Sequence, residues 1–180
     1  MTANLKYKSI SVYWDVFSRT VVPRERIEKY RIGRKIRLPL HILHFASKHE
    51  FSVYLELLKV FPSSQIIPQC PIQILPPSKC YPNGKKWKVD FAIKKPSPEL
   101  GVIALVEAKG IVTREFLFSI CCFEQSQHSE LFDRLWLVFP TDNFPRNQLI
   151  KNLQKSDFGD RIIATKDIVP AFKETHEHAY

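Results

Sequence analysis

Trp87-Lys88-Val89-Asp90-Phe91-Ala92-Ile93, and the run from Val102 that closes on Glu107-Ala108-Lys109 seventeen positions after Asp90, decide how this chain is read. Both runs have the apolar, β-branched and aromatic content of strands. Side chains alternate along a strand, so Ile103, Leu105, Glu107 and Lys109 share one face, with the two charges at its far end. Burying a carboxylate without a partner is costly. Two acids and a lysine converging at neighbouring strand ends therefore make a candidate site for a divalent metal and an activated water. The competing reading is an ion-pair cluster among Asp90, Glu107 and Lys109 at a sheet edge.

Elements on either side extend the pattern. Ser47-Lys48-His49-Glu50 is a capping box, serine followed three residues later by glutamate. Phe51, Tyr54, Leu55, Leu57 and Leu58 continue it as the apolar face of a helix that ends before Pro62. Residues 65–75 (QIIPQCPIQIL) read as a strand, and Pro68 and Pro71 assign it to an edge. Asn83-Gly84 is a turn signal that sets the Asp90 strand antiparallel to it. Thr113 caps a helix running to about Gln127; a strand over 135–139, a helix over 145–154 and a short strand over 161–164 follow. The order of helix, three strands, helix, strand, helix, strand implies an α/β fold, a mixed sheet with helices on its faces.

The chain has 180 residues, 44% of them apolar and 25% charged, which suits a single globular domain. The expected organisation is a basic N-terminal extension over 1–40, a core over 41–170 and a polar, frayed tail over 171–180, which holds His176 and His178. No apolar run is long enough for a membrane span, and the N-terminus lacks a signal-peptide pattern. An intracellular, cytoplasmic protein is the expectation. Cys70, Cys80, Cys121 and Cys122 match no disulfide framework or zinc spacing and are expected to be buried free thiols. His41 and His44 lack two further ligands for zinc. Trp87, Trp136 and Phe139 are expected in the core, and Gln125 and Gln127 on a surface.

The net charge of +9 is unevenly placed. Arg24, Arg26, Lys29, Arg31, Arg34, Lys35 and Arg37 cluster in the N-terminal extension, and Lys85, Lys86 and Lys88 lead into the Asp90 strand. Such a field attracts polyanions, and phosphate contacts supply most non-specific nucleic-acid affinity. A solvated basic face is the alternative.

Val89-Asp90-Phe91, a dozen or so apolar and turn residues, then Val106-Glu107-Ala108-Lys109-Gly110 resembles the core of the PD-(D/E)xK nuclease superfamily. Val89 stands where the superfamily name has proline. The resemblance implies a restriction-endonuclease-like fold over roughly residues 45–140. It implies a magnesium-dependent DNA endonuclease, with Mn2+ able to substitute, in which Asp90 and Glu107 bind metal and Lys109 supports the attacking water. Many members add an acid on the preceding helix, where Glu50 stands; that role competes with the capping box. Residues 46–51 and 67–72 are similar to the nuclease domain of Tn7-type transposon end-cleaving subunits. Phage-borne and homing endonucleases share the core at this length, so homing, transposition and restriction roles stay open. Double-stranded DNA is the expected partner, with a homodimer, a higher homo-oligomer or a partner recombination protein needed to cut both strands. A non-catalytic DNA-binding or assembly protein on the same scaffold is the competing class.

Overall fold

The computed structural model describes residues 10–95, 101–141, 148–155 and 158–177. The chain divides into two compact units, residues 1–52 and 53–180.

In the first unit, β1 (Val12–Asp15) pairs antiparallel with β2 (Thr20–Val21). Asp15 shapes the turn between them: its Oδ1 accepts the N–H groups of Phe17 (2.8 Å) and Ser18 (3.2 Å), an aspartate turn of the usual kind. These bonds hold the Asp15 carboxyl below its usual range. The basic stretch is helical over α1 (Arg24–Ile27) and the 3-10 turn Glu28–Tyr30. It then forms a hairpin of β3 (Arg31–Ile32) and β4 (Lys35–Ile36). Gly33 at φ +61° supplies the left-handed residue that a two-residue hairpin loop requires. The last strand, β5 (Ile42–Phe45), adds to β1, giving the order β2-β1-β5. Ile27 and Phe45 are fully buried.

Helix α2 (Lys48–Leu57) runs across the division between the units. Its start follows the expected box. Ser47 Oγ accepts the Glu50 N–H (3.0 Å), and Glu50 Oε2 accepts the Ala46 N–H (2.8 Å), one residue before the cap.

The second unit is built on a five-stranded mixed sheet. β6 (Ile66–Leu75), β7 (Lys85–Lys94) and β8 (Val102–Ala108) form an antiparallel meander. Helix α3 (Arg114–Glu124) then leads through a 3-10 turn (Ser129–Arg134) to β9 (Leu135–Phe139), parallel to β8. Helix α4 (Gln148–Gln154) precedes β10 (Ile162–Ala164), parallel to β9. The order is β10-β9-β8-β7-β6, so the strand with two prolines lies at an edge, where proline is tolerated. Thr113 caps α3, its Oγ1 accepting the Phe116 N–H (3.2 Å). The expected α4 start at Pro145 lies outside the described residues.

Helices cover both faces. On one, Phe116, Ile120 and Phe123 of α3 and Ile150 of α4 pack with Trp87, Val89, Leu105 and Leu137. Trp87 meets Phe116 and Phe123 edge-on at 6.2 and 5.6 Å, contacts that add about 0.5–1.5 kcal/mol each beyond area burial. On the other, Tyr54 stacks on Phe91, and Phe172 packs on Trp136 and Phe61. Phe172 belongs to α5 (Ile168–Glu177), so the tail expected to be frayed is helical over its described residues, 171–177. Ile168 and Phe172, four apart and both fully buried, are the i, i+4 apolar signal of this helix, and they stand just before the polar residues from Lys173 on. His178 lies outside the described residues.

All four cysteines are free, but Cys80 and Cys121 are exposed and Cys70 and Cys122 half-buried, so the expectation of buried thiols fails. Among the described residues no helix is long and apolar enough to cross a membrane.

Candidate active site

The β7–β8 ladder runs from the Lys94 end as far as Phe91↔Val106. Asp90 and Glu107 would form the next pair. There each side chain takes the N–H that a backbone carbonyl takes elsewhere in the ladder. Glu107 Oε2 accepts the Asp90 N–H (3.1 Å), and Asp90 Oδ2 accepts the Ala108 N–H (2.9 Å). Two carboxylates thus satisfy backbone donors that a buried strand end would leave unpaired. Strand β9 keeps the other side of β8 in register through Glu107↔Leu137 and Ala108↔Val138, and the Lys109 N–H continues to Val138 O (2.8 Å). The Glu107-Ala108-Lys109 backbone is therefore held straight by one neighbour where the other is met by side chains.

Glu107 is 1% exposed and Asp90 half-buried. Lys109 Nζ lies 2.6 Å from Glu107 Oε1 and 4.8 Å from the centre of the Phe116 ring. Burial above all, and then the charge of Asp90, push the Glu107 carboxyl up to about 7; Lys109 pulls it down. Both effects are expected of two acids placed close together in an apolar site beside a lysine. A pair of carboxylates so arranged suits a hard divalent cation, which takes oxygen donors and needs few of them from protein.

Of the residues singled out from sequence, the structure brings Asp90, Glu107 and Lys109 together. Glu50 is 4% exposed, and its carboxylate has the capping contact already described. Among the described residues no three of His, Cys, Asp and Glu are grouped to hold a metal ion. His41 stacks on Phe17 and His44 on Tyr13. Arg24, Arg26, Lys29, Arg31, Arg34, Lys35 and Arg37 are all exposed, as are Lys86 and Lys88; Lys85 is half-buried with Nζ 4.4 Å from the Phe118 ring centre. Arg31 forms a two-pronged ion pair with Glu28 at 2.6 and 2.9 Å, which offsets part of its charge. Trp87 and Phe139 are buried as expected, and Trp136 is half-buried. Gln125 and Gln127 line a cleft of about 380 Å³ with Gln73, Cys121 and Cys122.

Two neighbours of the site went unnoticed in the sequence. Phe116, which packs in the core, also carries the Lys109 ammonium on its ring. Gln69 of β6 donates from Nε2 to Asp90 Oδ1 across a long 3.4 Å and has φ +53°. Its signal was present: a polar residue framed by Pro68 and Pro71. No known protein family, curated protein or solved structure matches the chain.

Proposed function

We propose that this protein is a magnesium-dependent DNA endonuclease on a PD-(D/E)xK, restriction-endonuclease-like scaffold. The observation that supports this most is the facing of Asp90 and Glu107 where the β7–β8 ladder ends, with Lys109 Nζ 2.6 Å from Glu107 Oε1. The donor set fits magnesium, or manganese in its place, because it offers hard oxygens and because a cation compensates the burial and the Asp90 charge that raise the Glu107 pKa. Bound there, the cation would neutralise a phosphodiester and acidify a water.

The chain's own residues prepare that chemistry. Asp90 and Glu107 are oriented by the backbone N–H groups they accept, so neither has to be reordered on binding. Lys109 sets a positive charge beside the carboxylates and orients the attacking water; Phe116 limits where its ammonium can go. Glu50 is a further candidate acid for the metal. The exposed cations at 24–37, with Lys85, Lys86 and Lys88, track the phosphate backbone of double-stranded DNA. Cutting both strands calls for two copies or a recombination partner, in a homing, transposition or restriction setting.

The test is cleavage of plasmid and genomic DNA with and without Mg2+, beside Asp90→Ala. Discrete metal-dependent products that the variant lacks support the nuclease. Tight, salt-sensitive binding without cutting under any divalent cation favours a DNA-binding or assembly protein instead.

A further inference from the structure

Gln69 is the one residue of β6 with a left-handed backbone, in a strand whose neighbours are extended. Its placement has a cause in the sequence. In Ile67-Pro68-Gln69-Cys70-Pro71 both prolines have φ locked, and Ile67 and Cys70, each preceding a proline, are confined to extended conformations. Gln69 alone keeps the freedom to turn. Pairing resumes on both sides in the same register, Pro68↔Phe91 and Cys70↔Val89, so no residue has been inserted and Gln69 stands opposite Asp90.

The effect is a shift of phase in both strands at once. Ile67 and Cys70 both pack on the α3 side, as do Val89 and Ala92, although residues three apart on a regular strand face opposite ways. The shift falls at Gln69 in β6 and at Asp90 in β7. A positive φ is disfavoured for any residue with a Cβ, and glycine would adopt it without strain. The chain places glutamine there, with its carboxamide exposed and directed at Asp90 Oδ1. Such strain persists only where the surrounding structure enforces it, and it clusters at functional sites.

We infer that Gln69 is a positioning residue for Asp90: its strained backbone sets the carboxamide against Oδ1 while Ala108 N–H holds Oδ2, fixing the carboxylate plane that meets a divalent cation. The inference rests on the metal-dependent reading of the site. Gln69 acts through Asp90, so the first effect of losing it is on cation affinity.

The experiment measures Mn2+ binding to the full chain by electron paramagnetic resonance of the free ion, with urea unfolding of the metal-free protein alongside. Wild type, Gln69→Gly, Gln69→Asn and Asp90→Asn are compared. The glycine variant frees the backbone and deletes the carboxamide; its urea midpoint should match or exceed that of wild type while its Mn2+ affinity falls about tenfold or more, the usual cost of losing a partner behind a metal ligand. Should glycine lower the midpoint, asparagine decides, since it tolerates positive φ but falls a methylene short of Asp90. Loss of affinity at an unchanged midpoint then supports the inference. Wild-type affinity in both Gln69 variants overturns it and leaves the site reading intact. Absence of any Asp90-dependent Mn2+ binding in wild type overturns the site reading, and the role of Gln69 with it.

Discussion

Replacing Glu107 with glutamine keeps the shape of the side chain and removes a charge that folding buries. The wild-type carboxyl is 1% exposed, and its pKa rises from 4.5 in the unfolded chain to about 7 in the fold. The folded state therefore holds this proton more tightly than the unfolded state does. The stability that follows is fully present below about pH 4.5 and is lost as pH rises through about 7. By pH 8 both states are ionised. At about 1.36 kcal/mol per pKa unit, the loss at this one group comes to about 3 kcal/mol. Glu107→Gln abolishes the titration while its amide oxygen can still accept the Asp90 N–H. It also deprives Lys109 of the partner at 2.6 Å, so the net gain at pH 8 should be smaller, about 1–3 kcal/mol.

Urea unfolding in a chelator, at half-unit steps from pH 5 to 8, reads this directly. The variant-minus-wild-type difference should be small near pH 5 and grow steadily towards pH 8. Titration of His44, whose pKa burial lowers, is common to both proteins and cancels in the difference. A flat difference, or a variant less stable than wild type at pH 8, would refute the argument that burial and Asp90 hold Glu107 against ionisation. Saturating Mg2+ should reverse the order by stabilising wild type alone, because a ligand that binds only the folded state adds RT ln(1 + [L]/Kd).

Other consequences can be measured as simply. Lys109→Ala should reduce cleavage by about 10²–10³, the scale of one lost transition-state donor, and leave DNA binding within a few-fold in a filter or gel assay; equal loss of both would count against its catalytic role. Gly84→Ala should lower stability by more than about 1–2 kcal/mol. Its φ is +62°, and a Cβ there would strike Gln73 Nε2 and Leu75 O; a variant that unfolds at the wild-type urea midpoint would contradict this. Ser47→Ala should cost about 1 kcal/mol through the lost cap of α2 and leave cleavage unchanged. Glu50→Gln separates the two roles of that residue: a purely structural Glu50 leaves the Mg2+ dependence of cleavage unaltered, and a metal-binding one does not.

The order of elements from α2 to β10 was legible because each is announced locally. The serine cap precedes an apolar helical face, two prolines mark an edge strand, and Asn83-Gly84 turns β6 into β7. The N-terminal unit was read less well. Its strands are only two to four residues long, too short to show alternation, and the charges between them resemble a solvated helix. The cysteines went astray for a related reason: a thiol is apolar enough for either environment, and only packing decides which it meets.

From sequence alone came the two carboxylates, the lysine on the same face as Glu107 and the adjacency of the strands that bear them. Alternation and turn chemistry are properties of a few consecutive residues, so they survive without a partner. Tertiary structure decided the rest. It stopped the β7–β8 ladder at Phe91↔Val106 and gave the freed N–H groups to Asp90 and Glu107. It buried Glu107 until its pKa rose, laid Lys109 over Phe116, and set a strained Gln69 opposite Asp90. Each of these depends on register and depth, which arise only when segments distant in the chain are brought side by side.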